Sequence, residues 1–464
     1  MSCLDDNKEV EINIQSAISN EDLDRFSADF ETAPKNRLAL NAVTRNGIQE
    51  AALNRQLING INHTFSDWIE TSRVTNQKAS GRCWLFAGLN VLRLAAMEKM
   101  DLEHLELSQT YLMFWDKLEK ANYFLENIIE TCDQPLDGRL VAWILSDPLP
   151  DGGQWNMFVN LVRKYGVVPK FVMPETHSSS ISRPMNALLA AKLREGAQTL
   201  REMHQRGCSG VELRQAKSEM MNIFYRMLTI HLGKPATSFL WEWRDQDKQF
   251  HRHKKNGGIL TPQEFFAKYV DFDLDSMVCL IDAPTQDKPY KHLYTVQYLG
   301  NVVGGQDVRY LNVDMATLKQ AAVDMIVENR TVWFGCDVSK MMNRDLGILD
   351  QDVYELELVY GTPFLQDKAG RLDFGHSRMT HAMVLTGVGF NTQGKPAKWR
   401  VENSWGAEVG DKGSMIMSDQ WFEEYLYEVT VNKQYLSAEL LAVLDTEATI
   451  LPPWDPMGAL AKAA

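Results

Sequence analysis

The fold of this chain is decided at Gln77-Lys78-Ala79-Ser80-Gly81-Arg82-Cys83-Trp84-Leu85-Phe86. From Cys83 to about Met100, apolar residues recur at helical spacing, so the cysteine is predicted to open an amphipathic helix. The amino end of a helix carries partial positive charge and free backbone N–H groups, and both stabilise a thiolate. Cys83 is therefore a candidate nucleophile.

Gln77, six residues before Cys83, is a candidate for stabilising a negative oxygen. Its side-chain amide, together with the backbone N–H of Cys83, would supply the two donors that an acyl-transfer intermediate needs. Gly81 lets the chain turn tightly between them. Taken alone, a cysteine before an apolar helix is more often an inert core thiol, so the interpretation depends on Gln77 and on two later segments.

The first of these later segments contains His381, at the start of a predicted strand that runs to Phe390. A single histidine is more often a structural residue than a catalytic base. His376 is a nearby competitor, but it lies in a loop-like stretch, whereas a strand would hold the imidazole of His381 rigidly. We therefore favour His381 as the base.

The second segment contains Asn403, directly after a predicted strand at residues 398–402. An asparagine oxygen that accepts a hydrogen bond from an imidazole N–H selects the useful tautomer and leaves the other nitrogen facing the sulfur. Trp405, two residues later, would shield this bond from water, although filling the core is an equally good interpretation. Asn403 is the candidate for orienting His381.

The composition is that of an ordinary globular protein. Of the 464 residues, 45% are hydrophobic and 23% are charged, and two or three subdomains are expected at this length. The formal net charge of -13 opposes general binding to phosphate backbones, which requires a basic surface. Nucleic acid is therefore not favoured as a partner.

The cysteines and the first residues of the chain indicate its cellular compartment. The six cysteines include no CxxC pair, which argues against structural zinc and against a redox motif, and we expect neither a metal nor an organic cofactor. The first residues resemble neither a signal peptide nor a transit peptide, and no apolar run is long enough to cross a bilayer. We expect a cytoplasmic protein with reduced thiols and no membrane partner.

The order of predicted elements indicates an α+β protein with segregated lobes, since helices come first and short β-rich runs follow after about residue 270. A cleft between two such lobes is a natural place for an active site. The predicted segments are an amino-terminal arm (1–60), a helical lobe carrying Cys83 (61–184), a helical insertion (185–260), a β-rich lobe carrying His381 and Asn403 (261–450) and an extended tail (451–464).

In the order Cys83, His381, Asn403, these segments resemble the papain-type cysteine peptidases. In the papain and cathepsin members, the later residues lie about 130–150 positions after the cysteine. Here they lie 298 and 320 positions after it (381 − 83 and 403 − 83). The helical insertion accounts for part of this excess.

One branch of that family, bleomycin hydrolase and the bacterial aminopeptidase C group, resembles the chain over most of its length. The resemblance implies a two-lobed papain-like fold, a homohexamer, and broad aminopeptidase activity on peptides with a free amino terminus. Its motifs are the Cys83, His381 and Asn403 segments, Asp151-Gly152-Gly153-Gln154-Trp155, Tyr165-Gly166-Val167-Val168-Pro169-Lys170, Val332-Trp333-Phe334-Gly335-Cys336-Asp337 and Trp454-Asp455-Pro456-Met457-Gly458-Ala459-Leu460.

The resemblance also assigns substrate-binding residues. Gly152 and Gly153 would line the cleft and pair with extended substrate, although a loop Gly-Gly is an equally good interpretation from the residues alone. The tail would lie in the cleft near Ala461 and Lys462, where its terminal carboxylate would bind the α-ammonium of the substrate. Because the chain continues beyond Lys462 for two residues, we hypothesise that the enzyme trims its own tail.

Two alternatives stay open at this point. The first is an endopeptidase, if the tail leaves the cleft open. The second is a nucleic-acid-binding or scaffold protein, since some members of the branch bind nucleic acid and the chain has one compact basic run at residues 251–255. A solvated loop is the more ordinary interpretation of that run.

Overall fold

The computed structural model describes residues 17–462, in which the long helices come first and the long strands later. The α-helices are α1 (Asn20–Thr32), α2 (Pro34–Asn46), α3 (Ile48–Ala51), α4 (Arg55–Gly60), α5 (Cys83–Met100), α6 (Gln109–Glu130), α7 (Arg139–Ser146), α8 (Trp155–Tyr165), α9 (His177–Ser180), α10 (Arg183–Gln205), α11 (Gly210–Leu232), α12 (Pro262–Phe265), α13 (Met315–Val327), α14 (Leu356–Tyr360), α15 (Lys368–Asp373), α16 (Asp419–Tyr425) and α17 (Ala438–Leu444).

The strands are concentrated in the second half of the chain. They are β1 (Asp67–Trp68), β2 (Phe239–Leu240), β3 (Glu242–Arg244), β4 (Phe250–Arg252), β5 (Ile259–Leu260), β6 (Met277–Ile281), β7 (His292–Val296), β8 (Tyr310–Asn312), β9 (Val332–Cys336), β10 (Met342–Asn343), β11 (Ile348–Leu349), β12 (His381–Phe390), β13 (Pro396–Glu402), β14 (Ser414–Ser418), β15 (Leu426–Asn432) and β16 (Thr449–Leu451). Short 3₁₀ turns and one π turn (Phe266–Val270) join some of these elements.

A twelve-stranded, mostly antiparallel sheet is the main β structure of the described chain, in the order β10-β11-β14-β13-β12-β9-β15-β6-β8-β7-β16, with β1 beside β12. Strand β12 lies near its centre and pairs with β9 on one side and β13 on the other. This pairing places the start of β12, at His381, beside the end of β13, so residues that are distant in sequence meet at one edge of the sheet.

Helix α5 lies against this sheet and against α6 and α8, and it is buried more completely than the sequence predicts. Every residue from Cys83 to Arg93 is buried, so the expectation of an amphipathic helix is wrong for this part. The polar side chains of Asn90 and Arg93 can be buried there because both donate to the carboxylate of Glu402. The helix is amphipathic only near its carboxyl end, where Glu98 and Lys99 are exposed.

The predicted helical insertion contains the hairpin of α10 and α11, which pack on each other and on α6. Ser209 caps α11 in a capping box with Glu212. The helices end at Leu232, and residues 239–260 form the two small ribbons β2–β5 and β3–β4 instead of helix. None of the helices within residues 17–462 combines the length and the apolarity needed to cross a membrane.

The described chain divides into two compact units. One contains residues 17–61 together with Asp352–Leu365, and the other contains the rest. In the first unit, backbone hydrogen bonds join Asn54 to Val353 at 3.0 Å and Glu355 to Ala52 at 2.8 Å. The segment Asp352–Leu365 was not expected to join the arm, and the division into five segments remains a prediction.

The tail is extended only in its first part. Strand β16 pairs in parallel with β7, but Pro456–Lys462 forms a 3₁₀ helix, so the expectation of an extended tail is wrong there. The carboxylate of Asp455 accepts from the N–H of Met457 at 2.9 Å, which starts the turn, and the side chain of Met457 is fully buried. The last two residues of the predicted tail segment, 463 and 464, lie outside the described residues, as do residues 1–16 of the arm.

Candidate active site

Cys83 is the first residue of α5, and its sulfur lies among backbone donors. The backbone N–H groups of Ala382 and Trp84 lie near it and favour the thiolate. Ala382 directly follows His381, so the start of α5 lies beside the start of β12. Burial nevertheless raises the pKa of the Cys83 thiol to about 11.

His381 begins β12 and its Nε2 lies 2.9 Å from Oδ1 of Asn403. Because the amide oxygen accepts, Nε2 carries the hydrogen and Nδ1 is left as the free base. Asn403 is held in turn, since its Oδ1 also accepts from the N–H of Ser404 at 2.7 Å and its Nδ2 donates to Sδ of Met415 at 3.3 Å. Burial lowers the pKa of His381 to about 4.

The competitor His376 lies elsewhere. It is exposed and its Nδ1 lies 2.9 Å from the side-chain oxygen of Gln366. Trp405, in contrast, lies beside the base, with its ring centroid 5.0 Å from that of His381 and a 38° angle between the rings. Its other neighbour is the guanidinium of Arg344, 4.9 Å from the indole centroid. The indole thus covers one side of the His381 imidazole.

Gln77 is fixed at both ends of its amide. Its Nε2 donates to the carbonyl of Ser80 at 2.6 Å, and its Oε1 accepts from Oγ of Ser404 at 2.6 Å. The backbone N–H of Gln77 also donates to the carbonyl of Ser404 at 2.8 Å. One hydrogen on Nε2 is used by Ser80, and the amide carries a second.

Ser404 is a further residue of the candidate site, and the sequence reasoning missed it. It joins the amide of Gln77 to Asn403, so a single residue links the candidate oxyanion donor to the residue that accepts a hydrogen bond from His381. The available signal was its position directly after Asn403. A serine in that position has no distinctive pattern of its own.

The two glycines face different neighbours. A Cβ atom at Gly152 would overlap the carbonyl oxygen of Leu460 in the tail, and one at Gly153 would overlap the indole of Trp84. Each glycine therefore allows a close approach that any side chain would block. The groove at Gly152 is occupied by the tail of the same chain.

The end of the described tail is also held. Ala461 is buried, and Lys462 donates to the carbonyl of Asp147 at 3.1 Å while its ammonium lies 4.2 Å from the ring centroid of Trp143. Burial lowers the pKa of Lys462. The predicted tail residues thus lie on the loop that leads to Gly152.

The chain is similar to known peptidases over nearly its whole length. The sequence profile of the Peptidase C1-like family matches residues 17–458. The chain belongs to this family. Aminopeptidase C of Listeria monocytogenes serovar 1/2a is 44% identical over 450 residues, which cover 97% of this chain and 100% of that protein. Bleomycin hydrolase of Gallus gallus is 44% identical over 454 residues, which cover 96% and 99%.

A solved structure agrees as well. The crystal structure of PepW from Lactobacillus rhamnosis matches with a TM-score of 0.93 and 48% identity, and the match covers 96% of this chain and 99% of that one. The chain is thus a cysteine peptidase with a papain-like α+β fold. The predicted fold class is confirmed.

Beneath the site, the peptidase has a buried group of charges that the sequence reasoning missed. Lys117 and Lys120, one turn apart on α6, donate to backbone carbonyls of the loop before Gly153 and pair with Asp151 at 2.6 Å and with Asp116 at 2.7 Å. Only the i,i+4 spacing of Asp116 and Lys120 was visible in the sequence. Within residues 17–462, no group of three or more His, Cys, Asp or Glu side chains is arranged to hold a metal ion.

Proposed function

We propose that this peptidase is an aminopeptidase of broad specificity, which releases amino-terminal residues from peptides through an acyl-enzyme on Cys83. The observation that carries the proposal is the position of the tail. Gly152 follows Asp151, which contacts Gly81 and Trp84 on either side of Cys83, and Leu460 lies against Gly152. A substrate with further residues on the amino-terminal side of the carbonyl that Cys83 attacks would meet the tail in this direction.

In the proposed first step, Nδ1 of His381 takes the proton of the Cys83 thiol as the sulfur attacks the first peptide carbonyl. A sulfur–carbon bond forms, and the carbonyl oxygen becomes negative. The second amide hydrogen of Gln77 and the N–H of Cys83 donate to this oxygen. Asn403 holds the imidazolium that results.

In the second step the oxyanion collapses and the carbon–nitrogen bond breaks. His381 gives its proton to the leaving amine, which departs as the shortened peptide. Water, deprotonated by His381, then hydrolyses the thioester and restores the thiol of Cys83. Each proton is thus returned within one turnover.

Burial explains why the two charges must form together. It raises the pKa of Cys83 to about 11 and lowers that of His381 to about 4, so neither group is charged at neutral pH beside a neutral partner. Proton transfer within the pair creates a thiolate and an imidazolium that stabilise each other. His381 is therefore required for the reactivity of the sulfur, as well as for protonating the leaving group.

For the tail, we propose that its terminal carboxylate binds the α-ammonium of the substrate after residues beyond Ala461 or Lys462 have been removed. Such a contact pairs opposite charges in a closed groove. Intact mass spectrometry of fully active enzyme tests the trimming. A mass that corresponds to all 464 residues would contradict it.

The test of the main proposal compares fluorogenic peptides with free and with acetylated amino termini. We expect the free-amine peptide to be cleaved preferentially and iodoacetamide to abolish that activity. A variant that lacks residues 456–464 should lose the preference and cleave the acetylated peptide faster, whereas Lys462→Ala, which keeps the tail backbone, should retain it. Equal cleavage of both peptides by the full chain would identify an endopeptidase.

Absence of thiol-sensitive cleavage would instead favour a binding or scaffold protein. The basic run at residues 251–255 does not favour nucleic acid, because part of it is neutralised. His251 lies 2.7 Å from the carboxylate of Asp245, and Arg252 pairs with Glu242. An acidic chain with a partly neutralised basic run has little basic surface that could displace the counterions of nucleic-acid phosphates.

We further propose that the chain forms a homohexamer and works in the cytoplasm. Helices α1 and α2 bury no side chain and expose Leu23, Phe26 and Leu38, which self-association would cover. The five described cysteines are free, as a reducing compartment would keep them. Sedimentation should show six copies, and Phe26→Asp with Leu38→Asp should give smaller species; cell fractionation tests the location.

A further inference from the structure

The carboxylate of Asp151 accepts from four donors in three separate parts of the chain. Oδ1 accepts from Nδ2 of Asn186 at 2.7 Å and pairs with Lys117 at 2.6 Å. Oδ2 accepts from the N–H of Gly81 at 3.0 Å and from Oγ of Ser182. The side chain is only 4% exposed, so these contacts are made away from water.

The Asp151 backbone adds a fifth contact. Its carbonyl accepts from Nε1 of Trp84 at 2.8 Å. Asp151 therefore binds Gly81 on one side of Cys83 and Trp84 on the other. It contacts neither the sulfur nor the imidazole through a hydrogen bond, so any effect on the reaction passes through the backbone that it holds.

The turn before Cys83, which Asp151 contacts at Gly81, contains a strained residue. Lys78 has a φ of 55°, in the left-handed region that side chains other than glycine rarely adopt. The opposite edge of the turn is held by Ala79, whose N–H donates to the carbonyl of Ser180 at 2.9 Å. A strained turn keeps its shape only when its surroundings determine it, and here those surroundings include Asp151, Ser404 and the segment that leads into α10.

We propose that Asp151 is a positioning residue for the oxyanion site. By holding the N–H of Gly81, it sets the path of the chain between Gln77 and Cys83, so that the amide of Gln77 and the N–H of Cys83 point to one spot. Through Ser182 and Asn186, the same carboxylate ties the base of the helical hairpin to this turn. The inference rests on the acyl-transfer function proposed above.

The charge of Asp151 has an opposite effect on the nucleophile. Burial is the main cause of the raised pKa of Cys83, and the negative charge of Asp151 raises it further. Burial alone would raise the pKa of Asp151 itself, but Lys117 and the hydrogen bonds from Ser182 and Gly81 outweigh it and hold that pKa well below its usual range. Asp151 is therefore charged at neutral pH, and it stabilises the turn while disfavouring the thiolate.

These opposite effects give the test. Asp151→Asn keeps the shape of the side chain but weakens its hold on Gly81. We expect kcat for the free-amine peptide to fall by about 10–100-fold with KM little changed, and inhibition by a peptide aldehyde, whose adduct needs the oxyanion donors, to weaken by a similar factor. The rate of alkylation by iodoacetamide, which forms no oxyanion, should stay the same or rise.

Asp282→Asn is the matched control. Asp282 is an equally buried carboxylate that pairs with Lys368 at 2.9 Å and accepts from Tyr290 at 2.9 Å, and it has no contact with the turn. Equal losses of kcat in the two variants, or parallel losses of alkylation and turnover in Asp151→Asn, would overturn the inference. If Asp151→Asn does not fold, Ser182→Ala removes one donor and keeps the charge, and kcat should fall by a smaller factor while alkylation is unchanged.

The same experiment separates the two proposals. If the unmodified chain shows no thiol-sensitive hydrolysis, the proposed function fails before Asp151 is considered. If it hydrolyses the peptide and Cys83→Ser does not, while Asp151→Asn behaves like Asp282→Asn, only the inference about Asp151 fails.

Discussion

The two sides of the candidate active site are held in different ways. On the helical side, the loop before Gly153 and the turn before Cys83 are held by buried charges, with Lys117 paired to Asp151 and Lys120 to Asp116. On the sheet side, His381 and Asn403 are held by neutral hydrogen bonds at the ends of paired strands.

The difference follows from the backbone. Strands satisfy their own N–H and C=O groups by pairing, whereas a buried loop must find donors elsewhere, and two lysine ammonium groups supply them here. A charge buried for this purpose needs a partner of opposite sign. We therefore expect substitutions on the helical side to lower stability more than turnover. Substitutions on the sheet side should lower turnover more than stability.

The largest expected effect is on the residue where the two sides meet. Cys83→Ala should lower kcat by at least about 10⁴-fold, since no other group supplies the nucleophile, while leaving the protein folded because alanine suits a buried helix start. Hydrolysis of the free-amine peptide measures the loss, and circular dichroism provides the control. Residual activity within about tenfold of wild type would place the nucleophile elsewhere.

Lys117→Met tests the helical side and should lower the stability of the fold. It leaves the carboxylate of Asp151 and the carbonyl of Leu149 without their ammonium donor, so the free energy of unfolding should fall by about 3–5 kcal/mol. Urea denaturation measures it. The control Lys192→Met removes an exposed ion pair with Glu195 and should change stability by less than about 0.5 kcal/mol.

Glu428 sharpens the comparison, because its carboxyl on the sheet side is buried without a partner of opposite charge. It is fully buried in β15, and neither carboxyl oxygen has a hydrogen-bond partner among the described residues. Burial raises its pKa to about 8, and Cys279 and Tyr310 lie near it. The folded protein therefore keeps the carboxyl protonated at a pH where the unfolded chain, with a pKa of about 4.5, releases the proton.

The raised pKa of Glu428 in the folded state determines how stability depends on pH. The stability that Glu428 provides in its neutral form is complete below about pH 4.5 and is lost as pH rises through 8. Glu428→Gln should remove this loss, so the stability difference between variant and wild type should grow by roughly 5 kcal/mol between acid and alkaline pH. Thermal unfolding over this range measures it. A difference that does not change with pH would contradict the assignment.

Asn403→Ala tests the sheet side, and its expected effect is the smallest. The imidazole loses the acceptor that selects its tautomer, so kcat should fall by about 10–100-fold while unfolding changes little. Because the bond is between neutral groups, the loss should be similar at low and high salt. A loss of stability as large as that of Lys117→Met would show that the two sides do not differ as described.

Much of the site was predictable from the sequence because its signals are local. Cys83 at a helix start, His381 at a strand start and Asn403 at a strand end each depend on neighbours within a few residues. The strand His381–Phe390 and the helix Cys83–Met100 have the predicted bounds.

Only the tertiary structure decided the rest. The burial of α5 on all sides depends on which elements surround it, and the 3₁₀ turn of the tail depends on the pocket that takes up Met457. The contacts of Asp151 join residues up to 70 positions apart, and those of Ser404 with Gln77 join residues 327 apart. Such contacts leave no periodic pattern in the chain, because periodicity reflects the geometry of one helix or strand, whereas these bonds depend on how several of them pack.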